Sequence, residues 1–268
     1  MSVVIVVPEA FSNFAKNENC LPYSELVAYL RQDNLVIGAM KGSTFIAGQG
    51  LDELQLDHVE CLSARRGLQE AFLHWRVWHV ANLADRSLCH KHLPENILIS
   101  KPVQRSDNVF TSDLFLHSRN ELMLDHLTGQ HIQGMVLTEA CRQMFLAVTE
   151  KYFLQDYRAK KRYFVIDTMT MRYNAFAFPL PAQITYKVLS KNVQKSHKRS
   201  FHVDMEVMQC SKPVCGMEAK FSVFDDEYIS AKEQTLASET LAYYVNDLRS
   251  KTLPEKSIPE IEASLQEG

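Results

Sequence analysis

Residues 124–143 read Leu-Asp-His-Leu-Thr-Gly-Gln-His-Ile-Gln-Gly-Met-Val-Leu-Thr-Glu-Ala-Cys-Arg-Gln. Two histidines, His126 and His131, stand in a loop, and Gly134 opens an apolar helical run. On that run Glu139, Arg142 and Gln143 fall at i, i+3 and i+4, which puts them on one helix face. A polar stripe on an apolar helix is costly unless it meets water or lines a cavity. The chemistry it suits is that of an acyl thioester. Free amides at Gly134 and Met135 form the positive end of the helix dipole. A thioester carbonyl placed there is polarised, and a developing oxyanion is stabilised. Gly134 lets a substrate come close to the backbone. His126 can exchange a proton near neutral pH. Glu139 can serve as a second acid or base, or orient a hydroxyl. His131 is either a second catalytic histidine at the substrate or a loop imidazole bonded to a carbonyl.

These residues need a buried helix and walls around it. From Met135 to Val148 apolar side chains wrap nearly all round the helix, which extends to about Leu154 and reads as buried. Three later strands alternate with period two. They carry Ile184, Tyr186 and Val188; then Phe201, Val203, Met205 and Val207; then Cys215, Met217, Ala219, Phe221 and Val223. One dry face and one wet face per strand is the pattern of an antiparallel sheet. Further strands are predicted over 108–117 and 163–178. The reading is α+β, a buried helix gripped by a curved antiparallel sheet over residues 86–226. A smaller α/β region precedes it over 1–85, with a buried strand at Val3–Val7, a short helix from Pro22 to about Arg31, a hairpin over 35–47 and a long helical stretch over 58–84. Trp75 and Trp78 are expected to pack that region against the larger core. Residues 227–268 are read as a surface helix over 230–249 and a mobile tail.

The chain has 268 residues, with 29 Lys and Arg against 32 Asp and Glu, for a net charge of −3. A nucleic-acid partner is therefore not expected, since no general positive field would attract a phosphate backbone. The run Val3–Val7 is far short of the roughly 20 apolar residues of a membrane helix, and no signal peptide or membrane contact is predicted. Six cysteines without a Cys-x-x-Cys pair suggest reduced thiols and a cytoplasmic protein. His74 and His79 are five apart rather than four, and His90-x-His92 alone is weak, so no metal is assigned. Basic clusters at Arg158–Arg162 and Lys191–Arg199 are solvated turns by default, and otherwise a docking surface for an acidic carrier protein or coenzyme A.

The 124–143 segment resembles the active-site stretch of hotdog-fold β-hydroxyacyl-ACP dehydratases, H-F-P-G-x-P-x-x-P-G-x-x-x-x-E-A-x-x-Q. Gly134, Glu139, Ala140 and Gln143 match in register. His126 matches with one residue fewer before the glycine, and the prolines are missing. It is more similar to the A-factor biosynthesis hotdog family of γ-butyrolactone signal synthesis. Its His-Lys pair, Asp-His and Glu-Ala-x-Arg-Gln correspond to His90-Lys91, Asp125-His126 and Glu139–Gln143. The resemblance covers residues 88–226. It implies a hotdog fold and an acyltransferase that moves a β-ketoacyl group from an acyl carrier protein or CoA to the hydroxyl of a three-carbon phosphate such as dihydroxyacetone phosphate. It then implies His126 as base, Glu139 orienting acceptor or base, Arg142 on the phosphate, and Gln143 bracing Glu139. A phosphopantetheine-linked substrate is expected, with no other cofactor. Only one hotdog unit is legible, so a homodimer is expected to pair its sheet edges. The rival readings are a β-hydroxyacyl-thioester dehydratase and a non-catalytic thioester sensor.

Overall fold

The computed structural model describes residues 2–32, 40, 42–79, 82–154, 162–194 and 198–252. Near the N-terminus three parallel strands, β1 (Ser2–Val7), β2 (Cys20–Pro22) and β3 (Ser43–Ala47), lie in the order β2-β1-β3. Helices α1 (Tyr23–Arg31) and α2 (Glu53–Arg65) accompany them. The unbroken Val-Val-Ile-Val-Val run of β1 has a physical cause: a strand covered on both faces needs no polar side. Val4 and Val6 pack into a small core with Leu26, Phe45, Leu56 and Trp75. Ile5 and Val7 pack into the larger core, which also takes in Phe11, Ala15 and Cys20.

Two expectations for this region are corrected. Residues 43–47 pair in parallel with β1 rather than in a hairpin, while 33–39 and 41 lie outside the described residues. The single helical stretch over 58–84 is instead α2 followed by short turns. A capping box starts α2, with Asp52 accepting from the Gln55 amide at 2.9 Å and Gln55 accepting from the Asp52 amide at 3.1 Å. Gly67, at φ 67°, stops it. Trp75 is buried in the small core, whereas Trp78 is half-exposed.

The rest is a six-stranded antiparallel sheet around helix α5 (Gly134–Val148). In chain order come α3 (Arg86–Cys89), β4 (Val103–Ser106), β5 (Val109–Asp113), α4 (Glu121–Asp125), α5, β6 (Arg162–Tyr173), β7 (Gln183–Asn192), β8 (Lys198–Gln209) and β9 (Lys212–Asp225). The spatial order is β4-β5-β7-β8-β9-β6, so short β4 and long β6 form the two edges. The inward rows of β8 and β9 are buried, as their alternation predicts. Phe145 of α5 stacks on Phe221 of β9 at 4.6 Å, and Phe201 of β8 stacks on Phe221 at 5.2 Å. The α-helix ends at Val148, and residues 149–153 form one wider π-helical turn rather than a continuation to Leu154. A final helix, α6 (Asp226–Thr252), starts earlier and ends later than the predicted 230–249.

The two parts of the chain are sewn together by Gln49. Its side chain donates to the Leu114 carbonyl at 2.8 Å and accepts from the Leu116 amide at 3.0 Å. Phe14 stacks on Phe178 at 5.5 Å, and the amides of Asn13 and Phe14 both donate to the Gly129 carbonyl at 2.9 and 3.1 Å.

Candidate active site

The start of α5 is uncapped. Gln133 occupies the N-cap position without a side-chain cap, and its amide reaches the Met123 carbonyl at 3.4 Å instead. The Val136 amide turns back to the Gln133 carbonyl at 3.1 Å. The amides of Gly134 and Met135 are thus the leftover donors at the positive helix end. A cavity of about 370 Å³ opens beside them, with His131, Gly134, Leu137, Tyr173 and Phe176 among its walls. His131 stands 4.5 Å from the Phe176 ring, in a turn closed by Thr128, whose hydroxyl donates to the His131 carbonyl at 2.6 Å.

Why position 134 is glycine is visible here. A Cβ on Gly134 would lie 2.8 Å from the ring of Tyr173, an edge-strand residue of β6. The Tyr173 hydroxyl shares a hydrogen bond with the Thr138 hydroxyl at 2.7 Å and donates to the Gly134 carbonyl at 3.3 Å. The glycine therefore admits a tyrosine ring, where the sequence suggested room for substrate alone. Neither Tyr173 nor Thr138 carries a signal in the sequence, because the partner of Gly134 across the fold is set by where β6 ends.

Glu139 lies five residues along α5, about 140° round the helix from Gly134. Its carboxylate receives Lys91 Nζ at 2.7 Å, Gln143 Nε2 at 3.2 Å and Arg142 at 3.5 Å. Gln143 has no exposed surface. Its Oε1 accepts from the Leu98 amide at 2.8 Å, and its Nε2 also donates to the Asn96 carbonyl at 2.8 Å. Burial pushes the nearby Cys89 thiol up to about 12, the Glu139 charge adding to the effect. A second, more polar cavity of about 420 Å³ adjoins Glu139, with Lys91, Asn96, Asn120 and Asp125 among its walls.

The structure thus gathers Glu139, Arg142 and Gln143 and adds Lys91, whose only sequence signal was the His90-Lys91 pair. It sets Gly134 on another face of the same helix and His131 in the loop that leads into it. His126 follows α4, is exposed, and makes no hydrogen bond or ion pair with any described residue; its neighbour Asp125 lines the Glu139 cavity. Met135 is exposed. His90 contacts Glu150 at 3.3 Å rather than the site.

Other expectations resolve as follows. No group of three or more His, Cys, Asp or Glu that could hold a metal occurs among the described residues. No helix among them is long and apolar enough to cross a membrane. All six cysteines are free; Cys210 is exposed on a turn and Cys215 buried. Of the basic clusters, Arg158–Lys161 and residues 195–197 lie outside the described residues. Arg162 pairs with Asp225, and Lys191 sits over the Phe153 ring at 4.6 Å.

A buried helix in a curved antiparallel sheet, with cavities at its start, defines the class of acyl-thioester-processing hotdog proteins. Residues 76–225, more than half of the chain, match the A-factor biosynthesis hotdog domain, and the chain belongs to that family. Among curated proteins, none matches the chain. Among solved structures, a conserved protein of Pseudomonas aeruginosa is 20% identical, with 46% of this chain and 87% of that one covered and a TM-score of 0.33. A dehydratase heterocomplex of Xenorhabdus doucetiae gives 14%, 50%, 86% and 0.37. A thioesterase of Haemophilus influenzae gives 10%, 52%, 87% and 0.35.

Proposed function

We propose that the chain is an acyltransferase that moves a β-ketoacyl group from a pantetheine thioester, on an acyl carrier protein or CoA, to the hydroxyl of a small phosphorylated acceptor. The observation that carries this reading is the pair of cavities on one helix, an apolar one at the uncapped helix start and a polar one around Glu139. The thioester carbonyl takes the amides of Gly134 and Met135, and the acyl chain runs past Leu137 and Phe176, with His131 at the rim. The acceptor hydroxyl enters the polar cavity and is oriented by Glu139, and its phosphate extends outside the cavity lining to Arg142, which contacts Glu139 at 3.5 Å. Lys91 and Gln143 hold the Glu139 carboxylate. His126, next to the cavity-lining Asp125, accepts the hydroxyl proton. The acceptor oxygen bonds to the acyl carbon, the carbon–sulfur bond breaks, and the carrier leaves as its thiol with a proton. The transfer needs no further cofactor. A reducing cytoplasm and a homodimer belong to the same reading.

The test is a β-ketoacyl-CoA or carrier-protein thioester incubated with and without dihydroxyacetone phosphate, products being read by mass spectrometry. The expected result is an ester and a free carrier thiol, formed only with acceptor. The Glu139→Gln and His126→Ala proteins should each lose about 100-fold or more in kcat. Wild-type turnover by both would overturn the assignment. An enoyl product from a β-hydroxyacyl thioester without acceptor would make the protein a dehydratase. Tight binding with no product would make it a sensor.

A further inference from the structure

The apolar cavity at the start of α5 carries one hydroxyl whose bonding is redundant. Ile132, Leu137, Phe176 and Ala177 make its apolar lining, and the phenol of Tyr173 stands among them. The ring occupies the space a Gly134 Cβ would need, and the phenol oxygen lies 3.3 Å from that point. Three oxygens meet there. Thr138 donates to the Gly134 carbonyl at 3.0 Å, Tyr173 donates to the same carbonyl at 3.3 Å, and the two hydroxyls are 2.7 Å apart. A phenol has one proton to give. Thr138 already serves the carbonyl, and at the shorter distance. The Tyr173 proton can therefore turn to a ligand without leaving a backbone group unpaired.

A second donor beside Gly134, distinct from its amide, suits a ligand with a second acceptor. The acyl-thioester reading gives the first acceptor, the thioester oxygen, to the amides of Gly134 and Met135. In a β-ketoacyl chain the next polar atom is the ketone oxygen, two carbons along. A saturated chain has nothing there to accept. We propose that the Tyr173 phenol donates to the β-keto oxygen of the acyl chain and so makes the cavity prefer β-ketoacyl over saturated acyl groups. The other polar side chains of the lining are Asn174 and His131, whose ring centre lies 4.5 Å from that of Phe176. Tyr173 is 53% exposed, so water competes for the phenol and the preference is that of one neutral hydrogen bond. This inference rests on the acyl-thioester reading of the cavity, but not on the acceptor or the transfer step.

The test is calorimetric titration of the full chain with two pantetheine amides, octanoyl and its β-keto counterpart. An N–H replaces the sulfur in both, so no acyl group can leave. The wild type should bind the β-keto amide roughly three- to tenfold more tightly. In Tyr173→Phe, which keeps the ring and removes the oxygen, the two affinities should become equal. Asn174→Ala should keep the preference. Comparing two ligands on one protein separates a lost bond from a misshapen cavity, which weakens both alike. Equal affinities in the wild type, a preference that survives Tyr173→Phe, a preference lost in Asn174→Ala, or no binding of either amide would overturn the assignment. A preference abolished by Tyr173→Phe in a protein that forms no ester would uphold the role of the phenol and remove only the acyltransferase reading. Ester formation by a wild type without the preference would do the reverse.

Discussion

Gln143 spends every polar atom it has on the protein. It holds Glu139 on its own helix and pins residues 96–98, through the Leu98 amide and the Asn96 carbonyl, against α5. Replacing it by leucine keeps the volume and strands the buried Leu98 amide, the part-buried Asn96 carbonyl and one carboxylate contact. We expect Gln143→Leu to lose about 2–4 kcal/mol of stability in urea unfolding, since each buried orphan costs about 1–3 kcal/mol. Part-exposed Glu139→Gln should lose under about 1 kcal/mol. The contact between Gln143 and Glu139 was legible because i and i+4 share a face. Its grip on 96–98 was not, because nothing local says which distant loop crosses the helix. Lys91 was hidden for the same reason: the His-Lys pair could be read, but its 2.7 Å approach to Glu139 depends on how the short helix α3 lies on α5.

Helix α5 was the most legible element, because an all-round apolar run has few alternatives to burial. Its start is where tertiary contact decides. Gly134→Ala replaces the poorer helix former, which alone would add something under about 1 kcal/mol at this first helical position. Here the new methyl must displace the Tyr173 ring and break its bond to Thr138. We expect a net lowering of melting temperature by Gly134→Ala in the wild-type background and a net rise in a Tyr173→Ala background, a sign reversal that a thermal double-mutant cycle would reveal. The strands β7, β8 and β9 were legible from period two. The parallel strand β3 was not, because glycines flanking a short apolar run also suit a hairpin. Nor was the end of α2 foreseen, where Gly67 in the left-handed region turns a predicted long helix into a short one.

At the scale of the whole molecule, the small and large parts meet at His79. Its Nδ1 is buried without a hydrogen-bond partner among the described residues, and its ring lies edge-on to Phe115 at 6.1 Å. Burial holds its pKa down at about 4. An unfolded histidine titrates near 6.5, so between about pH 6.5 and 4 the unfolded chain binds the extra proton and the folded one does not. Stability is therefore full above that window and falls as pH drops through it, by at most about 3 kcal/mol. A His79→Phe protein should show a smaller drop in melting temperature between pH 7 and pH 4.5 than the wild type.

The pair of amides from Asn13 and Phe14 on the Gly129 carbonyl has a practical side. Those bonds prop the tight bend that carries His131 to the apolar cavity, and Ile5 and Val7 plug the floor of the larger core. The leading segment is therefore scaffolding for the trailing one. Anyone shortening the protein to its family-matched portion would expose an oily socket and remove the strut that keeps the chamber wall upright.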